Sequence, residues 1–184
     1  MTDLIPFLTS LIGLRDAHGK GHSDHVLRFS ASMGQKMKLP SAQLNLLKFT
    51  AQIHDIGKVA LNEFLVNKPG RFTEAEHLMI QHHAHLGASL VEKLNLDPMI
   101  PLVIMHHHEN YDGTGYPHRL SGDQIPLESR IIRITDTYDA LTNNRGYRPA
   151  YTPKKAYAIM EQDQHCFDPE LLEIFFKMQR NKKG

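Results

Sequence analysis

Helix-start signals recur along this sequence and constrain its fold more than any other feature. At three places a side chain that can cap a helix stands directly before a proline: Asp97-Pro98, Thr152-Pro153 and Asp168-Pro169. Proline suits the first helical position because its missing N–H would have no helical partner there, and Asp or Thr can accept a hydrogen bond from the first turn. We therefore expect a helix to begin at each place.

Capping and apolar spacing predict two more helices. Ser41 can cap a helix with an apolar stripe through Leu44, Leu47 and Ala51, and Gly57 is placed to end it. A second helix is expected where Thr and Glu have the spacing of a capping box in front of a leucine-rich stretch. The residues that predict this long helix are Thr73, Glu76, Leu78, Leu86, Leu90 and Leu94.

No stretch alternates convincingly between apolar and polar residues, so the sequence predicts an all-α fold. Between Tyr111 and Pro126 the chain holds three glycines and two prolines, which predicts one long loop. A length of 184 residues is enough to bury a substantial core without a second domain. We therefore expect residues 1–184 to form one domain.

Composition excludes several classes of protein. The net charge of +1 favours no DNA or RNA polymer as a partner. The apolar stretch from Leu4 to Leu14 is too short to span a membrane and follows no basic residues, so neither membrane insertion nor a secretion signal is expected. The single cysteine, Cys166, cannot form an internal disulfide, which agrees with a reducing compartment. The cytoplasm is the expected location.

Histidine is the anomaly in the composition, because most of the 13 histidines fall in a few clusters. A His54-Asp55 pair alone is a weak signal, and Asp136 lies in an apolar stripe where a carboxylate usually needs a partner or a metal. Imidazole and carboxylate together suit zinc, iron, manganese or nickel better than calcium. The remaining clustered histidines are His82, His83, His85, His106, His107 and His108.

From about His22 to Asp168 the chain contains an ordered set of motifs. In order, they are "GHSDHV", "IHDIGKVAL", "NKPGRFT", "HHAHLGA", "HHENYDGTGYP", "IPLESRIIRITDTYDALT", "NRGYRPA" and "FDPEL". This set resembles the HD-GYP domain, the bacterial branch of the HD phosphohydrolases that degrades cyclic di-GMP. The resemblance implies a compact helical HD-type domain with a metal site between helices.

The resemblance implies a centre of two divalent ions, iron or manganese, with zinc, nickel and cobalt as alternatives. Asp55 is expected to bridge the two ions. Three-metal members carry a glutamate four residues before the upstream histidine, where this chain has His18, so a third ion near His18 and His22 stays open. The implied ligands are His22, His54, Asp55, His83, His107, His108 and Asp136.

The same resemblance implies hydrolysis of cyclic di-GMP to linear pGpG, with a second cut to GMP left open. Two metal ions about 3.5–4 Å apart can activate a bridging hydroxide for attack on phosphorus, so no serine or cysteine nucleophile is required. Asp55 and Lys58 are the expected catalytic residues, and Lys58 matches the lysine near the scissile phosphate. The expected substrate-binding residues are Lys58, Gly115, Tyr116, Arg145 and Arg148.

Other positions have more ordinary interpretations. Asp139 is expected to be structural, Glu109 could orient a ligand histidine, and Tyr116 could equally pack on the domain. His25 replaces a family arginine, which puts a local salt bridge in doubt. His82, His85 and His106 are expected at the surface or in supporting contacts, and His77, His118 and His165 are expected to be ordinary polar residues.

Two alternative functions stay open at this stage. One is a signalling module that binds a nucleotide, or a protein partner such as a diguanylate cyclase, with little turnover. The other is an HD hydrolase of a different cyclic dinucleotide, such as cyclic GMP-AMP. The intact ligand set argues against the first alternative, and the complete "DGTGYP" loop favours cyclic di-GMP over the second.

Overall fold

The computed structural model describes residues 4–16, 19–144 and 149–180, and these residues form helices and loops with no strand. The predicted all-α fold is confirmed. Three short 3₁₀ helices, Ile56–Ala60, Gly122–Gln124 and Gln164–Cys166, lie between the α-helices. The α-helices are α1 (Leu4–Arg15), α2 (Gly19–Lys36), α3 (Ser41–Ile53), α4 (Glu63–Val66), α5 (Glu74–Glu92), α6 (Met99–His106), α7 (Leu127–Thr142), α8 (Pro153–Gln162) and α9 (Pro169–Arg180).

The predicted helix starts are largely confirmed. Thr152 caps α8 with Pro153 at its first position, and Asp168 accepts the backbone N–H groups of the first turn of α9. Helix α6 begins at Met99, one residue later than the proline suggested, and the Met99 N–H donates to Asp97 over 2.8 Å. The capping box before α5 is also present.

The start and end of α3 differ from the prediction. Ser41 is the first helical residue, and its side chain makes no capping hydrogen bond because Pro40 occupies the N-cap position. The helix ends at Ile53, before Gly57. Gly57 has a different role, since a Cβ there would lie 2.5 Å from the Gly87 backbone nitrogen on α5. The missing side chain lets the 3₁₀ turn after α3 lie directly against α5.

Two clusters of buried apolar side chains form the core. One contains residues of α2, α3, α6, α7, α8 and α9, such as Met33, Leu47 and Phe175. The other contains residues of α1, α3, α5 and α6, such as Ile12 and Ile104. Helix α3 contributes to both clusters, so the residues that follow it emerge between them. None of the helices in the described ranges is both long and apolar enough to cross a membrane.

Candidate metal centre

All seven predicted metal ligands converge in two neighbouring groups. Within each group, one nitrogen or oxygen atom per residue lies within 4.8 Å of the others. The ligands come from α2, α5 and α7 and from the turns that follow α3 and α6, so the site joins distant parts of the chain. The Asp55 group is Asp55, His83, His107 and His108, and the His22 group is His22, His54 and Asp136.

Asp55 lies between the two groups. Its Oδ1 is 3.4 Å from His83 Nε2, whereas its Oδ2 is 3.5 Å from His54 Nε2 and 3.6 Å from His22 Nε2. The two oxygens of one carboxylate therefore face different groups of imidazoles. This arrangement suits a carboxylate that bridges two cations.

Three ligand histidines are oriented by the backbone of their own segment. His54, His83 and His107 each direct ring Nδ1 at the carbonyl oxygen of the residue three positions earlier, at 2.5–2.8 Å. A carbonyl oxygen can only accept, so Nδ1 carries the proton and Nε2 presents a lone pair to the site. His83 Nε2 and His107 Nε2 lie 3.2 Å apart. Two lone pairs cannot form a hydrogen bond with each other, but both can bind one cation.

His22 is oriented by a side chain instead. Its Nδ1 lies 2.6 Å from Asp139 Oδ2, and its Nε2 lies 3.2 Å from Asp136 Oδ1. Asp139 also accepts from His25 over 2.9 Å, so a hydrogen bond to this carboxylate is present where His25 replaces the family arginine. Asp139 is thus more than a structural residue, since it holds a predicted ligand. The sequence contained one signal for this role, because Asp139 follows Asp136 by three positions on α7 and shares its helix face.

Lys58 holds the bridging carboxylate. Its ammonium donates to Asp55 Oδ2 over 2.8 Å and to Asp16 Oδ2 over 3.1 Å. Burial alone would raise the pKa of Asp55, but Lys58 together with His54, His83 and His22 outweighs it electrostatically and keeps this pKa well below its usual range. Asp55 is therefore ionised at neutral pH, as a metal ligand must be.

Burial and hydrogen bonding set the charge of the other ligands. Burial lowers the pKa of His83, His107 and His108, so these rings are neutral near pH 7. Burial alone would lower the pKa of His22, but hydrogen bonds to Asp136 and Asp139 raise this pKa to about 9. His22 Nε2 therefore takes either a proton or a metal ion. Neutral imidazoles beside ionised carboxylates suit a divalent metal site.

A cleft of about 560 Å³ opens above the two ligand groups. Lys58 and Tyr116 lie on its wall, and the Tyr116 ring stacks on His108 with 4.9 Å between ring centroids. Gly115 is buried beneath the loop, where a Cβ would lie 2.5 Å from the Glu109 Cα. Its absent side chain lets the loop lie against the turn that follows α6, and Gly115 does not line this cleft.

The cleft also contains residues that sequence reasoning did not assign to substrate binding. Arg71 and Phe72, from the "NKPGRFT" motif, line it together with His77. Their motif was recognised, but no spacing rule indicated that they face the metal centre. Three residues with predicted roles, His18, Arg145 and Arg148, lie outside the described residues, so these roles stay predictions.

Comparison with known proteins agrees with this geometry. A family model described as "HD domain" matches residues 6–171. The chain is 35% identical over 161 residues to a 3'3'-cGAMP-specific phosphodiesterase of Vibrio cholerae, and 37% identical over 149 residues to a cyclic di-GMP phosphodiesterase of the same bacterium. These alignments cover 87% and 77% of this chain but 35% and 30% of the relatives. The chain thus spans about a third of the length of these relatives.

A solved structure has the same fold. It is described as a cyclic GMP-AMP specific phosphodiesterase of V. cholerae, and it superposes with a TM-score of 0.74 at 20% sequence identity. The superposition covers 98% of this chain and 49% of that chain. At this level of identity the likeness establishes the helical fold.

Proposed function

The chain belongs to the HD domain family and to its HD-GYP branch, and on that premise we propose that it is a metal-dependent phosphodiesterase that hydrolyses cyclic di-GMP to linear pGpG. The observation that carries the proposal is the pair of buried ligand groups that share Asp55 beneath an open cleft. We propose further that residues 1–184 form a single domain. The activity is proposed for this domain, whatever additional segments the longer relatives contain.

Two divalent ions fit the two ligand groups, and we propose iron or manganese in both. When bound, such ions stabilise charge on the phosphate and lower the pKa of a water molecule. The protein contributes the Nε2 atoms of His54, His83 and His107, whose rings are each fixed by a backbone carbonyl. It also contributes the ionised Asp55, which accepts a hydrogen bond from Lys58.

Residues on the cleft wall are proposed to bind the dinucleotide. Lys58 lies beside Asp55 on that wall, so its ammonium can reach a phosphate oxygen near the ligands. Arg71 is exposed there and can donate two hydrogen bonds to a second phosphate. Tyr116 offers an aromatic face on which a base can stack. Arg145 and Arg148 stay predicted phosphate contacts.

A second substrate, 3'3'-cGAMP, is supported by the relative of that specificity at 35% identity. Both dinucleotides present the same phosphodiester, so the ligand groups would act on either one. Discrimination depends on the base, which metal ligands do not contact. A pure binding module is less favoured, since such a module needs no complete set of ligands around a bridging carboxylate. A diguanylate cyclase partner also stays a prediction.

The deciding experiment is a product assay with measured metal content. Purified protein is reconstituted anaerobically with iron or manganese and incubated separately with cyclic di-GMP and 3'3'-cGAMP at equal concentrations. Linear products and mononucleotides are followed by chromatography, beside an Asp55→Ala control. We expect pGpG from the unmodified protein alone. Faster cleavage of 3'3'-cGAMP would reassign the substrate, and no product from either dinucleotide at two metals per chain would reject the enzymatic function.

A further inference from the structure

A third cluster of metal-type side chains lies outside the two ligand groups, where α6 meets the loop that carries Tyr116. His106 is the last residue of α6, Glu109 follows in the next turn, and His118 comes two residues after Tyr116. One nitrogen or oxygen atom from each of the three lies within 4.8 Å of the others. The cluster shares no residue with the Asp55 group or the His22 group.

His106 presents a lone pair to this cluster. Its Nδ1 lies 2.8 Å from the Leu102 carbonyl oxygen, so Nδ1 must be the donor and Nε2 is left as an acceptor. His106 Nε2 is 2.9 Å from His118 Nδ1. A hydrogen bond donated by His118 Nδ1 to His106 Nε2 would by itself explain the short distance between these two rings.

The hydrogen bond between the two rings does not explain why the carboxylate of Glu109 is buried beside them. Glu109 is only 1% exposed, and its Oε1 accepts the backbone N–H of His118 over 2.7 Å. Its Oε2 is buried and has no hydrogen-bond partner within the described part of the chain. A carboxylate oxygen removed from water without a partner is costly. Glu109 was expected to orient a ligand histidine, but it accepts its hydrogen bond from the backbone N–H of His118.

We propose that His106, Glu109 and His118 bind a zinc ion at a site separate from the proposed catalytic centre. Two imidazoles and one carboxylate, with the fourth position open to water, form a known donor set for zinc. Two nitrogens at 2.0–2.1 Å from zinc and at tetrahedral angles lie about 3.3 Å apart. Because His118 is exposed, its ring can move the few tenths of an ångström that this separation requires, and zinc can enter from solvent.

Such a site would connect two parts of the cleft wall. Helix α6 leads directly into His107 and His108, whereas His118 lies at the end of the loop that places Tyr116 on His108. A zinc ion joining His106 to His118 would hold this loop against the end of α6. The ion would thereby fix the position of Tyr116 without contacting the substrate.

The test is a count of zinc sites, which is independent of any activity. Metal-free full-length chain is titrated with zinc in competition with a chromophoric chelator, and bound zinc is measured by elemental analysis. We expect the unmodified chain to bind one zinc ion more than His118→Ala does. His85→Ala, which removes an exposed histidine of α5 outside the cluster, should match the unmodified chain. Equal zinc stoichiometry and affinity in the unmodified chain and His118→Ala would overturn the proposal.

A second variant tests the carboxylate. Glu109→Gln keeps an oxygen for the His118 N–H but removes the negative charge, so we expect zinc affinity at this site to fall at least about tenfold. Unchanged affinity would contradict a role for Glu109 as a ligand. His118 is exposed and its removal disturbs no core, so the His118→Ala result decides the proposal even if Glu109→Gln does not fold.

Discussion

The His22 group differs from the Asp55 group in one histidine, because its His54 is also oriented by a backbone carbonyl but its His22 is not. In the Asp55 group, His83 and His107 are oriented by carbonyl oxygens of α5 and α6, which no side-chain substitution removes. In the His22 group, His22 on α2 is oriented by Asp139, a side chain of α7. Backbone anchoring depends only on the local fold of the chain, whereas the hydrogen bond that orients His22 depends on one side chain, that of Asp139. The His22 group should therefore be the easier of the two to disrupt through a residue that is not itself a ligand.

The largest effect is expected where the two groups meet. Asp55→Asn keeps the size of the side chain but removes the charge that both groups share, so metal content should fall at both. Metal ions contribute several kcal/mol of transition-state stabilisation, and about 1.4 kcal/mol corresponds to a tenfold rate change. We therefore expect at least about a 1000-fold loss of phosphodiesterase activity.

His83→Ala is the comparison for that variant, because His83 belongs to the Asp55 group alone. Metal analysis should show about one equivalent retained in His83→Ala and less in Asp55→Asn. Equal metal loss in both variants would mean that the ions do not bind independently enough to be treated as two groups.

The second prediction concerns the contact that distinguishes the His22 group. Asp139→Asn preserves shape but weakens the hydrogen bond to His22, and loss of such a partner costs about 10–100-fold in metal affinity or activity. The measurement is metal affinity by chelator competition, together with kcat and KM for the dinucleotide. Glu128→Gln is the matched control, since Glu128 is also a buried carboxylate of α7 and belongs to neither group. Similar losses in both variants would assign the effect to general destabilisation of α7.

The third prediction addresses how the Asp55 group is assembled. In Gly57→Ala, the new methyl group would meet backbone atoms of His83 and Gly87 rather than flexible side chains. The 3₁₀ turn must then move away from α5, and overpacking of this kind costs about 1–3 kcal/mol. We expect a lower free energy of unfolding in denaturant and weaker metal binding at the Asp55 group.

Gly21→Ala is the control for that substitution, because its new methyl group would meet no atom within 4 Å. Gly21 lies inside α2, so alanine should be neutral or stabilising by about 0.5–1 kcal/mol. If both alanine variants behave alike, the close approach of Gly57 to α5 does not limit stability.

The sequence predicted most helix starts well because they depend on local patterns, and the residues it named as ligands lie together in the structure. Caps such as Thr152 act within one turn of the chain, and the ordered motifs identified residues from His22 to Asp136. Contacts between distant segments were missed. The approach of Gly57 to Gly87 depends on how helices pack, which no local pattern encodes. For the hydrogen bond from His22 to Asp139, the one local signal was the position of Asp139 three residues after Asp136.

The smallest effect is expected at the start of α5, one turn before the carbonyl that anchors His83. Glu76 completes the capping box and accepts from Lys68 over 2.6 Å. These hydrogen bonds lower the pKa of Glu76 from 4.5 to about 2. Its contribution to stability is therefore present above about pH 4.5 and is lost as the pH falls towards 2.

Glu76→Gln should lower the thermal midpoint at pH 7 by less than Gly57→Ala does, and the difference from the unmodified chain should shrink between pH 4.5 and pH 2. Metal content at pH 7 should not change, because the carbonyl that orients His83 belongs to Ile80, one turn further into α5. Glu74→Gln, in the same helical turn but outside the capping box, is the control. A pH-independent difference would contradict the assigned ionisation of Glu76. A loss of metal would show that metal binding by the Asp55 group depends on the end of α5 as well as on its interior. The Asp55 group, like the His22 group, would then be sensitive to a residue that is not itself a ligand.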